Sequence, residues 1–278
     1  MYKRFTLRPP PPPPPPPQFG LLTDANSDRN DEPGSFGAAW TLAAWVAGRR
    51  NGVKRAYHWG HIDYLKSNRE DALLQGQAWL MAVAELAVGA PTTLALSSDE
   101  LLPPQRRLAS AALSPSSTAW GLVALGAKPG TVHVLLSFFD YLGYTTAAKE
   151  PTAVTLTVDV PLNRVGGRRL ATGCRAVKEY RLSSENAVYD QMYRDLAYIN
   201  ALSLTDGRTH PLHDMATPAG VAYVEDHADT YMAMQRSALQ PSNFSGLVNN
   251  DGAHERGSVA VHIPMQLQSV AVVELQCS

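Results

Sequence analysis

Asn30-Asp31-Glu32-Pro33-Gly34-Ser35-Phe36 decides how this chain is read. It sets an acidic pair between a short apolar run (Phe19, Leu21, Leu22) and the start of a helix. From Phe36 the apolar positions recur at helical spacing through Trp40, Ala43, Ala44 and Ala47. Asp31 or Ser35 can cap this helix, and Asn51-Gly52, a pair tolerant of positive φ, ends it. Carboxylates at the carboxyl end of a strand, just ahead of a helix, are where α/β barrels keep their chemistry. Yet only residues 1–29 precede the motif, whereas a whole barrel of this kind takes ~250 residues.

Working outward, Val53–Trp59 is short, partly β-branched and aromatic, and reads as a strand. A loop with Gly60, His61, Ile62 and Asp63 follows, and then a second helix from about Gln75 to Val88. Residues 19–90 thus read as strand–helix–strand–helix, the repeating unit of an α/β fold. After Gly89-Ala90-Pro91 short β-rich runs dominate: Thr92–Leu96, Ala119–Leu125, Thr131–Phe139, Ala153–Val160, Ala176–Leu182, Val221–Val224, Ser258–Ile263 and Ser269–Leu275. Val154, Leu156, Val158 and Val160 alternate with Thr155, Thr157 and Asp159, the period of a half-buried strand. Many short strands between turns, such as Lys128-Pro129-Gly130 and Gly166-Gly167, indicate an antiparallel β-sandwich. Helical interruptions fall at Asn186–Ile199 and Asp226–Leu239. The expected organisation is a polyproline segment (1–18), an α/β part (19–90) and a sandwich with helical insertions (91–278).

Composition narrows the function classes. The chain has 278 residues, 45% of them apolar and 18% charged, which suits one large or two ordinary globular domains. A formal net charge of −1, with no basic block, gives no electrostatic pull toward nucleic acid or anionic membrane. No run approaches the ~18 apolar residues of a spanning helix. The basic N-terminus lacks the apolar core of a signal peptide. Pro9–Pro17 instead form an extended rod of about 28 Å at ~3.1 Å per residue. That rod is a spacer, a scar of an incomplete gene model, or a ligand for an aromatic-lined groove. Cys174 and Cys277 can pair in a secreted protein, although two distant thiols equally suit a reducing compartment.

The stretch around Glu32 and the order of elements resemble the family 39 glycoside hydrolases, the group containing β-xylosidase and α-L-iduronidase. Asn30-Asp31-Glu32 looks like the Asn-Asp-Glu that carries the nucleophile at the end of the seventh barrel strand in iduronidase-type members. Helix 36–50, strand 53–59 and helix 75–88 then look like the last helix, strand and helix of the barrel. Val132–Tyr141, Tyr180-Arg181-Leu182, the run from Val188-Tyr189-Asp190-Gln191 to Arg194-Asp195-Leu196, and Ser269–Leu275 fit the sandwich. The resemblance implies a C-terminal barrel fragment followed by an antiparallel β-sandwich, an α+β two-part chain. It implies a carbohydrate substrate, no cofactor, and a secreted or lysosomal-like location.

Retaining glycosidases need two carboxyl groups about 5–5.5 Å apart, one a nucleophile and one an acid/base. By resemblance Glu32 is the nucleophile, Asp31 orients a group beside it, and His58 and Trp59 face the sugar. The plainer alternative is that Asp31 and Glu32 sit at a helix N-terminus because negative charge is favoured there. The family's acid/base glutamate lies in an Asn-Glu pair, and Asn-Glu occurs nowhere in this chain. A lone nucleophile attacks only substrates whose leaving group needs no proton. The expectation is therefore little or no hydrolase activity from this chain alone, with the missing barrel half as a candidate partner. A non-catalytic carbohydrate-binding or interaction sandwich is the alternative from another class, and exposed aromatics on one sandwich face would mark it. His58, His61 and Asp63 lack a third nearby histidine and make a poor metal site. Asn243-Phe244-Ser245 fits a glycosylation acceptor, which matters only in a secreted chain. Two strand–helix units cannot close a barrel and must either dock on the sandwich or expose strand edges, and residues 91–278 alone are expected to behave better than the full chain.

Overall fold

The computed structural model describes residues 18–19, 34–53, 57–58, 63–65, 73–85, 93–96, 98–101, 117–126, 128–140, 153–162, 172–203, 218–251 and 257–278. The polyproline run, Asp31, Glu32, Trp59, His61 and Gly166-Gly167 lie outside them. The architecture is mixed α/β with antiparallel sheets, and the described strands close no barrel.

The centre is a five-stranded antiparallel sheet in the order β5-β6-β7-β12-β9. Its strands are β5 (Thr93–Leu96), β6 (Ser117–Leu125), β7 (Thr131–Asp140), β9 (Cys174–Leu182) and β12 (Ser269–Cys277). A three-stranded antiparallel sheet, β10-β11-β8, comprises β8 (Ala153–Pro161), β10 (Leu247–Asn249) and β11 (Ser258–Gln266). The alternating residues expected to face inward on β8 do so: Val154, Leu156, Val158 and Val160 are buried. They meet Val259, Val261, Ile263 and Met265 of β11 and Val132, Val134, Leu136 and Phe138 of β7 in one core. The turn from β11 to β12 is only Leu267-Gln268. Gln268 takes a positive φ of 58° there and ties its side-chain amide to the Asp140 carbonyl at 3.0 Å.

The opposite face of the five-stranded sheet is covered by helices. Helix α1 (Ser35–Arg50) buries Phe36, Ala38, Ala39, Leu42, Ala43 and Val46. Helix α2 (Gly76–Ala84) buries Trp79, Leu80 and Val83. These share a second core with Leu135 and Phe139 of β7, Tyr180 and Leu182 of β9, and Val270 and Val272 of β12. Phe36 meets Phe139 edge-on, with centroids 5.8 Å apart. The core therefore crosses residue 90, so the helices dock on the sheet instead of standing apart from it. This reverses the expectation for residues 91–278 alone: without α1 and α2 that apolar sheet face would be open to water.

Helix α1 stops where its sequence says it should. Gly52 at φ 76° lets Val53 N–H reach the Gly48 carbonyl (2.9 Å) and Gly52 N–H reach the Arg49 carbonyl (3.2 Å), a Schellman closure. Ser35, by contrast, is the first helical residue and not its cap. A short α3 (Ser98–Leu101) follows β5 and receives Arg50 through Glu100 at 2.5 Å.

Three more helices, α4 (Val188–Ser203), α5 (Pro218–Asp226) and α6 (Ala228–Ala238), form a third cluster around Tyr189, Met192, Leu196, Val224 and Tyr231. Val221–Val224, expected as a strand, is the middle of α5. Pro218, whose fixed φ suits a first helical turn, opens this helix, and only Val224 of the two valines turns inward. Two short pairs complete the described strands. β1 (Gln18–Phe19) and β2 (Tyr57–His58) are parallel, with Gln18 opposite Tyr57 and Phe19 opposite His58. β3 (Asp63–Leu65) and β4 (Leu73–Leu74) are antiparallel.

Candidate functional site

Of the residues expected to carry the chemistry, Asp31, Glu32 and Trp59 lie outside the described residues. His58 is placed only through its backbone, on β2 beside Phe19. What the structure does describe is the anchorage immediately after Glu32. Gly34 precedes the first turn of α1, and the Ser35 N–H donates to Asp190 Oδ2 at 2.7 Å. Asp190 sits in the first turn of α4, so one buried carboxylate meets the positive N-terminal ends of two helices. Gly34 leaves room for this contact: a Cβ there would lie 3.0 Å from both Asp190 carboxylate oxygens, so a larger residue would have to displace the carboxylate.

The start of α2 is packed just as closely. A Cβ on Gly76 would fall 2.1 Å from the Gly34 carbonyl oxygen, a distance only glycine avoids. The N-terminal ends of α1, α2 and α4 thus converge on Gly34, two residues downstream of Glu32. Of the two capping residues expected for α1, Ser35 is helical and Asp31 lies outside the described residues; the carboxylate that receives the Ser35 N–H is that of Asp190. No local pattern reveals a cap supplied from so far along the chain. The Ser35–Asp190 contact ties α1 to α4 across 155 positions of sequence.

Two further carboxylates among the described residues, the buried Glu179 and the half-buried Asp195, are committed to the scaffold. Glu179 on β9 accepts from the Arg181 guanidinium, from Ser245 N–H at 2.8 Å and from the Ser245 hydroxyl at 2.9 Å. It thereby fastens the loop after α6 to the sheet edge. The Tyr231 hydroxyl donates to Asp195 Oδ2 at 2.9 Å, and Gln191 donates to Oδ1 at 2.8 Å. Burial, then the bond to Asp195, raises the Tyr231 phenol well above its ordinary value, so it stays a donor. These contacts join α4 to α6.

A cavity lined by Leu74, Gly76, Trp79, Asn186, Val188 and Gln235 has room for about one water molecule, not for a sugar ring. An aromatic binding platform fares no better. The large exposed hydrophobic residues among the described ones are Val177, Val221 and Leu247, none of them aromatic. The outward side of β8 and β11 carries Thr155, Thr157, Asp159 and His262, with Thr157 bonded to His262 at 3.1 Å. No helix among the described residues is long and apolar enough to cross a membrane.

No family model and no curated protein matches the chain. Among solved structures it is similar to the GH39 enzyme from Xanthomonas axonopodis pv. citri, at 10% identity and a TM-score of 0.43. That likeness covers 93% of this chain and 44% of the other. It is also similar to the glycoside hydrolase family 30 subfamily 8 xylanase Xyn30A from Clostridium acetobutylicum, at 7% identity and a TM-score of 0.38. Here the shares are 94% and 41%. The chain therefore spans less than half the length of either protein.

Proposed function

We propose that this chain is the C-terminal portion of a retaining glycoside hydrolase of the family 39 type. Residues 19–90 are the last two strand–helix units of its (β/α)8 barrel, and residues 91–278 are its β-sandwich, onto which the helices of those units dock. Glu32 is the nucleophile and Asp31 orients a group beside it. His58 and Trp59 face a carbohydrate substrate. The acid/base glutamate belongs to a barrel half that this sequence lacks.

One observation supports this reading most. β1 and β2 are parallel neighbours joined through α1, the arrangement of consecutive strands in an α/β barrel. In sequence, Asp31-Glu32 follows the first of these strands and Trp59 follows the second. The carboxyl ends of parallel strands are where such folds bind and react. The anchoring of Gly34 and Ser35 by Asp190 then gives the segment after Glu32 a fixed end, which positioning a nucleophile demands.

The test joins sequence and activity. The transcript should continue upstream into a barrel half with an Asn-Glu at a strand end. The joined protein should hydrolyse an aryl xyloside or iduronide, and Glu32→Gln should abolish that turnover. Undiminished turnover in Glu32→Gln would overturn the assignment of the nucleophile. Hydrolysis of unactivated glycosides by the 278-residue chain alone would overturn the claim that the acid/base is missing.

A further inference from the structure

We infer that Asn243 is an N-glycosylation site, and that its glycan stands over the free edge of the five-stranded sheet. This rests on the scaffold alone and not on the proposed glycosidase reading. Asn243-Phe244-Ser245 is the single Asn-x-Ser/Thr of the 278 residues. A sequon alone says little, but three structural observations bear on it.

The first concerns compartment. Cys174 and Cys277, 103 residues apart, face each other across β9 and β12 and are disulfide-bonded. Such a bond forms and persists where secreted proteins mature and is rare in the cytosol. That compartment is also where oligosaccharide is transferred to asparagine. The second concerns access. Asn243 is exposed in the loop between α6 and β10, and its side chain has no partner among the described residues. The side chains of Asn51, Asn186, Asn249 and Asn250 are each engaged in hydrogen bonds.

The third concerns placement. On one side of Asn243, Ser242 and Glu179 exchange backbone bonds of 2.7 and 3.1 Å. On the other, Ser245 is bonded to the Glu179 carboxylate. Asn243 is thus held outward between two anchored neighbours. β9 is the end strand of its sheet; apart from this bridge and the Asn250 side chain, which bonds the Cys174 N–H and carbonyl, its edge, Val177 included, is not paired with another strand among the described residues. Val177, two residues from Glu179, is 43% exposed. Unpaired edges bearing apolar residues invite association, and a bulky polar group nearby blocks it.

The transfer balances without any group of this fold taking part. Nδ2 of Asn243 attacks the anomeric carbon of a lipid-pyrophosphate-linked oligosaccharide. The bond from that carbon to the pyrophosphate oxygen breaks, the lipid pyrophosphate leaves, and Nδ2 loses a proton. Transfer acts on the extended nascent chain, before Ser245 engages Glu179.

The experiment secretes the full chain from a eukaryotic host behind a cleavable leader. Intact mass is read before and after peptide-N-glycosidase, and peptides covering residue 243 are mapped. Glycan is expected on the parent, with Asn243 converted to aspartate on enzymatic release. It should vanish in Asn243→Gln and persist in Ser245→Thr, which keeps the hydroxyl that Glu179 uses. Enzymatic removal from the folded protein should leave the disulfide intact and lower the concentration at which the chain self-associates. A secreted, disulfide-bonded parent with unmodified Asn243 would overturn the site. Secreted protein with free thiols at Cys174 and Cys277 would overturn it too, by removing the compartment argument. Glycosylation with no change in self-association on removal would overturn the shielding role.

Discussion

The two faces of the five-stranded sheet solve one problem with different material. The inner face, Val132, Val134, Leu136 and Phe138 on β7, is covered by strands β8 and β11. The outer face, Leu135 and Phe139 on β7 with Val270 and Val272 on β12, is covered by α1 and α2 from the beginning of the chain. The covering strands alternate in burial along their length because each has a wet side. Every residue of β7 is buried, because it has none. A strand buried on both faces reads as a continuous apolar run. The difference teaches that residues before 91 are structural partners of those after it.

Removing that partner should be the harshest way to break the comparison. A chain of residues 91–278 is expected to lose cooperative unfolding and to bind a hydrophobic dye, whereas the full chain melts in one transition. A sharp, dye-silent melt of the shorter chain would show that the outer face needs no cover. Next in size, Leu135→Ala and Leu136→Ala probe the two faces at adjacent residues. Each should cost about 2–5 kcal/mol in chemical denaturation, the range for a buried leucine truncated to alanine. A cost under about 1 kcal/mol for Leu135 alone would mean that the helices pack loosely, since well-packed sites do not give so little.

A smaller effect is expected where α1 is fastened. Asp190→Ala removes the acceptor of Ser35 N–H and should cost about 0.5–2 kcal/mol, as loss of a helix cap does. Its sharper readout is faster amide exchange in the first turn of α1 with little change in β11. The smallest effect is expected on β7, where the buried His133 stands opposite Glu274 on β12. Burial lowers the His133 pKa below 6.5, and Glu274 opposes the shift only in part. The folded state therefore binds its proton less readily than the unfolded state. The stability tied to neutral His133 is fully present above pH 6.5 and is lost as pH falls through the folded-state pKa. Denaturation midpoints measured below pH 6.5 should fall less steeply in His133→Gln than in the parent.

The sheets were the most legible part of the sequence. β8, β11 and β12 were read within a few residues of their ends because period-2 alternation or a long apolar run leaves little choice. The end of α1 was legible for the same local reason, since Asn51-Gly52 writes a Schellman stop into two residues. Val221–Val224 was misread because four apolar residues do not distinguish the two periodicities, and the weight of Pro218 as a helix opener was missed. The partners of Asp190 and Glu179 were out of reach for another reason. Asp190 serves Ser35, 155 positions away, and Glu179 serves Ser245, 66 positions away. Such pairings follow from tertiary packing and leave no spacing to read. What was inferred for Glu32 still rests on its place in the chain, beside the parallel pair β1 and β2.

Native-state hydrogen exchange of the full chain tests most directly whether one cooperative structure spans residue 90. The amides of Ala39 to Val46 in α1 are expected to open with the same free energy as those of Val270 to Leu275 in β12, because both line one core. Exchange of the α1 amides orders of magnitude faster than those of β12 would contradict the account. It would make the N-terminal helices a loose appendage, and the segment after Glu32 would lose its fixed end.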